Sequence, residues 1–207
     1  MRSRKMIMLA AALAALALSA AASSTAGAAL PQWHFNKTLP EEFAEETVVG
    51  AAISSSLKSG GASTTCEHFL YNMEVWNWFG YGEGVIDELP LYSCTTTAPN
   101  CTVSAIEAEE LPWSAYPETF AGKQYLIIEG IKVKIVYAGA SCTLGTVHVT
   151  GTAGGLINNS NSTATFSKAS FEATGTSMKI GTSAVEWVGE FPMEAFKGNR
   201  EKAVEAY

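Results

Sequence analysis

The clearest pattern of apolar and polar positions in the chain lies in residues 123–142. In residues 131–135, isoleucine and valine alternate with lysine, which is the period of a β-strand with one buried and one solvated face. The preceding residues 125–128 are continuously apolar and rich in β-formers, as expected for a strand buried on both sides. Glu129 and Gly130 separate the two runs and predict either a tight hairpin turn or a bulge within one long strand.

Shorter alternating runs predict further strands along most of the chain. They are residues 47–57, 63–78, 89–94, 101–106, 146–150, 163–167, 177–180 and 184–193, preceded by a first strand or entry loop at 31–38. Residues 39–46 favour one or two helical turns, since proline suits the first turn and acidic residues suit the N-terminal end of the helix dipole. The pattern therefore predicts an all-β fold, an antiparallel β-sandwich or barrel-like domain with at most one or two short helical segments.

Two of the N-terminal strands have a predicted buried face. In residues 47–57 this face holds Val49, Ala51, Ile53, Ser55 and Leu57. In residues 63–78 it holds Phe69, Tyr71, Met73 and Val75. The opposite face of that second strand holds Cys66, His68, Leu70, Trp76 and Trp78. These assignments assume that no bulge shifts the alternation.

Residues 1–28 have the three parts of a secretory signal peptide. Basic residues open the chain, residues 6–22 are almost entirely Met, Leu and Ala, and residues 26–28 fit an A-x-A cleavage site, with 20–22 as the competing site. A retained membrane anchor is the alternative, but the apolar run is rich in alanine and short for a span. We expect a secreted protein, extracellular or associated with the cell envelope, with a single β-domain over residues 29–207. Residues 198–207 are expected to form a frayed tail or a terminal helical turn.

The charge of the predicted mature chain narrows its partners. Cleavage after Ala28 would leave 207 − 28 = 179 residues, and the signal peptide would remove three of the 13 basic residues and none of the 20 acidic ones. The net charge is then 10 − 20 = −10, which disfavours binding to nucleic acid or anionic lipid. Asp87 is the one aspartate among the acidic residues, so a calcium loop built from clustered aspartates is disfavoured as well.

Four cysteines remain after the signal peptide: Cys66, Cys94, Cys101 and Cys142. An even number in an exported chain predicts two disulfides, for which three pairings exist. Because residues 95–100 form a turn-like segment, we expect Cys94 to pair with Cys101 and Cys66 to pair with Cys142. Zinc binding is disfavoured, since the chain has no C-x-x-C pair.

Short motifs around the cysteines resemble those of a group of secreted all-β proteins of soil actinobacteria. The motifs are Gln32-Trp33-His34-Phe35-Asn36, Thr65-Cys66, Leu91-Tyr92-Ser93-Cys94, Cys101, Glu110-Leu111-Pro112-Trp113, Gly130-Ile131-Lys132-Val133 and Cys142. The strongly aromatic residues 69–79 depart from the more polar pattern of that group. The resemblance implies an exported β-fold and implies no activity.

Signatures of catalysis are weak in this sequence. No G-x-S-x-G pattern is present, and the S-x-x-K match at residues 55–58 lies on a predicted strand end, where serine and lysine do not share a face. His34, His68 and His148 belong to three predicted strands, and no two of them have the close spacing of metal ligands. We assign no catalytic, cofactor-binding or metal-binding residue and expect no cofactor.

One segment combines aromatic and acidic residues in a way that suits sugar binding. The aromatic residues are Trp76, Trp78, Phe79 and Tyr81. The acidic residues that follow them are Glu83, Asp87 and Glu88. Exposed rings would form a platform for a sugar, and two acids 5–10 Å apart across a cleft would suit glycoside hydrolysis. Aromatic residues of a strand more often pack into a core or an interface.

The leading hypothesis is a secreted, non-enzymatic binding or structural module with a polysaccharide or an envelope protein as the candidate partner. The alternative is a carbohydrate-active hydrolase or lectin-like protein that uses the region around Trp76 and Trp78. A third hypothesis is an inhibitor that presents a loop closed by Cys94 and Cys101. Buried rings would remove the carbohydrate hypotheses, and exposed rings beside a cleft would favour them.

Overall fold

The computed structural model describes residues 30–36, 39, 46–52, 54–197 and 200–207. The predicted signal peptide and residues 40–45 of the predicted helical turns lie outside the described residues, as does Ile53. The described part of the chain holds no helix with the length and apolarity that a membrane crossing requires.

Within the described residues the chain forms fifteen β-strands and one α-helix, which confirms the all-β prediction. The strands are β1 (Trp33–Phe35), β2 (Glu46–Ala52), β3 (Ser55–Ser59), β4 (Ala62–Trp76), β5 (Glu83–Glu88), β6 (Leu91–Thr96), β7 (Thr102–Ala108), β8 (Trp113–Phe120), β9 (Lys123–Ala138), β10 (Thr146–Asn158), β11 (Thr163–Phe166), β12 (Met178–Ile180), β13 (Ser183–Pro192), β14 (Glu194–Lys197) and β15 (Arg200–Ala206). The helix α1 is Lys168–Thr174.

The pairing of the strands closes into a ring, so the barrel-like form of the prediction describes the fold. The order β4-β3-β13-β11-β10-β9-β8-β5 returns to its start, because β5 pairs with β4. Strand β12 bridges β10 and β13, β6 pairs with β4, and β7 pairs with β9. Strands β2, β14, β15 and β1 extend the sheet from β4. Closing the ring pairs strand edges that an open sheet would leave free.

Strand β9 is one long strand with a bulge, which decides between the two predictions for its middle. Ile131 pairs with Gly151 and Ile128 with Ala153, so Glu129 and Gly130 lie opposite a single residue. Gly130 has a φ of +76°, a backbone conformation that glycine adopts without the steric penalty of a side chain. All of residues 125–128 are buried, and the alternating burial of residues 131–135 is confirmed.

The predicted core face of β4 is correct, and its parity does shift. Phe69, Tyr71, Met73 and Val75 are all buried. Cys66 is buried too, although it has the opposite parity. The two residues between Cys66 and Phe69 are both exposed, so the alternation shifts by one position there. The inward face therefore changes parity between the part of β4 that pairs with β3 and the part that pairs with β2.

The predicted buried face of residues 47–57 is wrong for β2. Val48 is fully buried, whereas Val49 is half-buried and Ala51 is exposed. Val48 lies directly opposite the buried Met73 of β4, so the partner strand selects the face. The predicted single strand is two strands, and the alternation restarts at the buried Ser55 of β3.

Two further elements differ from the sequence predictions. Residues 198–207 were predicted as a frayed tail or a terminal helical turn, but Arg200–Ala206 forms β15 between β14 and β1, with Val204 and Ala206 fully buried. The helix α1 was not predicted. Its first turn is stabilised by a capping box between Ser167 and Ser170, in which each side chain bonds the backbone of the other residue.

Two disulfides are present, but the predicted pairing is wrong: Cys66 bonds Cys94, and Cys101 bonds Cys142. Strand β6 continues through Thr96, so Cys94 lies inside that strand and directly opposite Cys66 of β4. Cys101 precedes β7, whose first residues pair with the end of β9 and so bring Cys101 to the loop that holds Cys142. The turn-like composition of residues 95–100 therefore does not bring Cys94 and Cys101 together.

An aromatic cluster fills the interior of the ring. Phe191 lies at its centre, with ring centroids 4.5 Å from Phe69, 5.3 Å from Tyr71, 4.8 Å from Phe166 and 5.1 Å from Trp187. Offset and tilted ring pairs at such distances stabilise a core beyond the area that they bury. The hydroxyl of Tyr71 donates a hydrogen bond to the Pro192 carbonyl, so the polar group of this ring has a partner inside the core.

We expect alkaline pH to destabilise the fold through Tyr71. Burial, followed by the charge of Glu194, raises the pKa of Tyr71 well above its usual value of 10.0. Above pH 10.0 the unfolded chain loses the hydroxyl proton of Tyr71, whereas the folded chain keeps it. The contribution of this group to folding stability is therefore fully present below pH 10.0 and is lost as the pH rises further. The free energy of unfolding should fall by up to about 1.4 kcal/mol per pH unit from this group.

Urea denaturation at successive pH values above 10.0 measures this slope. Tyr71→Phe keeps the ring and removes the titrating hydroxyl, so its slope should be shallower than that of the wild type. Equal slopes for the two proteins would contradict the assignment to Tyr71.

Candidate functional site

The predicted aromatic platform lies where β4 ends and the chain turns towards β5. Trp76 is the last residue of β4, Trp78 and Phe79 belong to a 3-10 turn, and Tyr81 follows that turn. We call these four side chains the aromatic patch. Phe79 is 79 % exposed, and the other three rings are half-buried. The patch is therefore open to solvent at its tip, which leaves the carbohydrate hypotheses standing.

The turn that carries Phe79 is held by β1. The buried side chain of Asn77 accepts a hydrogen bond from the Trp33 backbone N–H at 2.8 Å and donates one to the Trp33 carbonyl at 2.7 Å. On the other side of the turn, the Gly82 N–H donates to the Pro31 carbonyl at 2.9 Å. Both ends of the turn are thus tied to the same neighbouring segment.

Phe79 itself has an uncommon backbone conformation. Its φ of 55° and ψ of 23° lie in the left-handed region, where a side chain crowds the following carbonyl at a cost of roughly 1–2 kcal/mol. Such a residue persists where its surroundings fix it on both sides, and it is a common feature of functional sites. Here the consequence is a large apolar ring directed into solvent.

Glu83 interacts with two rings of the patch, those of Trp76 and Tyr81. Its carboxylate accepts a hydrogen bond from Trp76 Nε1 at 2.9 Å, and its backbone carbonyl accepts one from Trp33 Nε1 at 2.9 Å. The negative charge of Glu83 is the first cause that raises the pKa of Tyr81, so the Tyr81 hydroxyl keeps its proton to higher pH. The centroids of Trp76 and Trp78 are 5.4 Å apart with planes inclined by 38°, so these two rings form a bent surface.

A groove of about 330 Å³ borders the patch. It is lined by Leu30, Pro31, Tyr81, Gly82, Glu83, Tyr116, Pro117 and Glu118. A side chain at Gly82 would come within 2.7 Å of Pro117 Cγ, so glycine is required for this close approach. The hydroxyl of Tyr116 donates to Glu129 Oε1 at 2.8 Å, which orients that ring along the groove wall.

The acids proposed for hydrolysis do not converge on this groove. Glu83 and Asp87 are four residues apart on β5, which corresponds to about 13 Å along a strand and exceeds the separation used by glycoside hydrolases. Asp87 and Glu88 line a different groove of about 490 Å³. Asp87 Oδ2 also accepts a hydrogen bond from Asn72 at 3.3 Å.

The remaining sequence candidates are dispersed. His34 packs edge-on against the Tyr207 ring, and His148 Nε2 lies 3.4 Å from a carboxylate oxygen of Glu109. His68 is exposed on β4, and the described residues hold no group of His, Cys, Asp and Glu that could bind a metal ion. In the S-x-x-K match, Ser55 is buried and accepts a hydrogen bond from Trp187 Nε1. The inhibitor hypothesis loses its premise, because Cys94 and Cys101 have other partners.

Sequence reasoning identified the four rings of the patch and missed the residues that position and border them. Asn77 carries no signal in the sequence, since its function depends on the backbone of β1, more than forty positions away. Tyr116 and Glu118 reach the groove from β8, whose first residues pair with the middle of β5. These contacts arise from strand pairing between distant segments and not from any local motif.

No protein-family model, curated protein or solved structure matches this chain. The resemblance to secreted proteins of soil actinobacteria stays a prediction.

Proposed function

We propose that the chain is a secreted, non-enzymatic binding module of the extracellular space or cell envelope, and that its aromatic patch binds a neutral polysaccharide. The observation that carries this proposal is the ring of Phe79, which is 79 % exposed on a turn that is tied at both ends. This ring adjoins the half-buried rings of Trp76, Trp78 and Tyr81, and a contiguous apolar patch on a protein surface commonly marks a binding site.

The chemistry of the patch suits a sugar chain. The apolar faces of pyranose rings pack on aromatic side chains, and a bent surface of several rings follows a chain of linked sugars. The carboxylates of Glu83 and Glu118 at the adjoining groove accept hydrogen bonds from sugar hydroxyls. Because the predicted mature chain carries a net charge of 10 − 20 = −10, a neutral polymer is favoured over an anionic one.

The arrangement of the acids supports binding without hydrolysis. The Glu83 carboxylate already accepts a hydrogen bond from Trp76, and Asp87 and Glu88 line a separate groove. Hydrolysis requires two free carboxylates that face each other across a cleft, whereas the acids that line the patch groove are Glu83, whose carboxylate is engaged by Trp76, and Glu118. Two disulfides are typical of proteins of oxidising compartments and support export.

Binding to insoluble cellulose, chitin and xylan tests the proposal. We expect the mature protein to bind at least one of these polymers saturably. Trp78→Ala and Phe79→Ala should each weaken that binding by about tenfold or more, because an aromatic anchor that the bound sugar covers contributes more than about 1.4 kcal/mol.

Tyr92→Ala is the matched control, since Tyr92 is 50 % exposed on β6 and lies outside the patch. It should bind as the wild type does, and thermal unfolding should show that all three variants remain folded. Failure to bind any of the three polymers, or unchanged binding by Trp78→Ala, would overturn the proposal.

A further inference from the structure

A second concave site lies at the opposite end of the ring. It opens between the β3–β4 hairpin, the ends of β9 and β10, and the turn between β12 and β13. Thr64 lies at this end and Trp76 at the other, twelve residues along β4, which corresponds to about 40 Å of strand. We call this site the mouth cavity; it shares no lining residue with the groove beside the aromatic patch.

The mouth cavity is apolar and has a volume of about 200 Å³. The apolar side chains of its wall are Leu57, Ala62, Ile135, Leu144, Val147, Ile180 and Val185. Its lining includes no charged side chain. The charged residues Lys58 and Glu186 line an outer groove that adjoins the cavity through Ser59, Ala62 and Ser63. The cavity therefore favours an uncharged occupant.

The polar members of the lining are Ser59, Ser63, Ser183 and the hydrogen-bonded pair of Thr64 and Tyr137. Thr64 Oγ1 and Tyr137 Oη are 2.7 Å apart, and Thr64 is buried with 4 % exposure. A hydroxyl carries one donor and two acceptor positions, and the bond between the two groups uses one hydrogen. The pair therefore retains one hydrogen to donate and lone pairs to accept. A few placed polar groups in a mostly apolar pocket are the usual arrangement by which small-molecule sites orient a ligand.

The size of the cavity limits the ligand. An engineered apolar cavity of about 150 Å³ in another protein takes up benzene, so about 200 Å³ has room for one ring with a small substituent or for a short alkyl chain. Leu144, which is 42 % exposed, stands at the rim in the loop that the Cys101–Cys142 disulfide tethers. The rim is thus anchored covalently beside the opening.

We propose that the mouth cavity binds an uncharged small molecule that has one ring or a short alkyl chain and a single hydroxyl or carbonyl group. The apolar part of the ligand packs against the wall formed by β3, β9, β10, β12 and β13. Its oxygen forms a hydrogen bond with the Thr64–Tyr137 pair. The site is independent of polysaccharide binding at the aromatic patch.

Titration with 4-methylphenol, toluene and benzoate tests this assignment on the wild-type protein. In methyl-resolved NMR spectra, 4-methylphenol should shift the signals of Val147, Ile180 and Val185 and should saturate with a Kd below about 1 mM, which a ligand of this size can reach. Toluene lacks the hydroxyl and should bind several-fold more weakly. Benzoate is charged and should also bind several-fold more weakly than 4-methylphenol.

Two variants complete the test. Val147→Phe fills the cavity from a half-buried position and should abolish the shifts, and Tyr137→Phe should bring the affinity for 4-methylphenol close to that for toluene. Trp78→Ala, at the opposite end, should leave this binding unchanged. Absence of saturable shifts in the wild type, or equal affinity for 4-methylphenol and toluene, would overturn the proposal without bearing on the aromatic patch.

Discussion

Replacing Phe191 by alanine should lower the free energy of unfolding by about 4 kcal/mol, the loss typical of a buried phenylalanine whose cavity cannot collapse. The ring is fully buried, and it contacts rings from β4, β11 and β13. Its removal would therefore leave a void between elements on several sides of the closed ring. Since single domains are stable by about 5–15 kcal/mol, this one substitution removes a large share of the total.

Phe79→Ala is the matched control for this prediction, because it removes the same side chain from a position that is 79 % exposed. Urea denaturation of the two variants should give a loss near 4 kcal/mol for Phe191→Ala and a change within about 0.5 kcal/mol for Phe79→Ala. Comparable losses at the two sites would mean that Phe191 does not lie at the centre of a packed core.

Removing either disulfide should destabilise the protein by roughly 3.5–4 kcal/mol. The bonded cysteines are separated by 28 residues in Cys66–Cys94 and by 41 residues in Cys101–Cys142. In the chain-entropy model, loops of these similar lengths restrict the unfolded chain to similar extents. Urea denaturation of the paired Cys→Ser variants would measure both losses, and we expect them to differ by less than about 1 kcal/mol.

The connectivity can be checked independently of stability. Non-reducing proteolysis with mass spectrometry should recover peptides that join Cys66 to Cys94 and Cys101 to Cys142. A peptide that joins Cys94 to Cys101 would contradict the register of β4 with β6, because that register places Cys66 directly opposite Cys94.

The parts of the fold that could be predicted from the sequence are those that depend on the residues of one strand alone. The alternation in residues 131–135 and the apolar run in residues 125–128 gave the correct burial of β9, since each residue's face follows from its own position in the strand. Glu129 and Gly130 left a hairpin turn and a bulge open, and the pairing of β9 with β10 decides for the bulge.

The features that were wrong depend on partners far away in the chain. Val48 is buried because Met73 lies opposite it, and β15 is ordered because residues 33–35 pair with its last residues. The cysteine pairing failed for the same reason, since the partner of Cys94 is selected by the β4–β6 register and not by the turn that follows Cys94. Alternation within a strand carries no information about which strand will pair with it.

The candidate site also has features that could be predicted from local sequence and features that depend on distant residues. The composition of residues 76–81 was enough to single out the four rings, but not to show that Phe79 points to solvent. That orientation depends on a left-handed backbone residue and on the two hydrogen bonds between Asn77 and the backbone of Trp33. The mouth cavity had no sequence signal, because strands from both halves of the chain supply its walls.

The indole N–H signals in an NMR titration with cellohexaose, chitohexaose and xylohexaose test the central claim most directly. The chain has five tryptophans, of which Trp33, Trp113 and Trp187 are almost fully buried in the core and Trp76 and Trp78 belong to the aromatic patch. If the patch binds a polysaccharide, at least one of these sugars should shift the Trp76 and Trp78 signals and leave the signals of Trp113 and Trp187 in place. No shift with any of the sugars, or shifts that begin at Trp113 or Trp187, would contradict the claim.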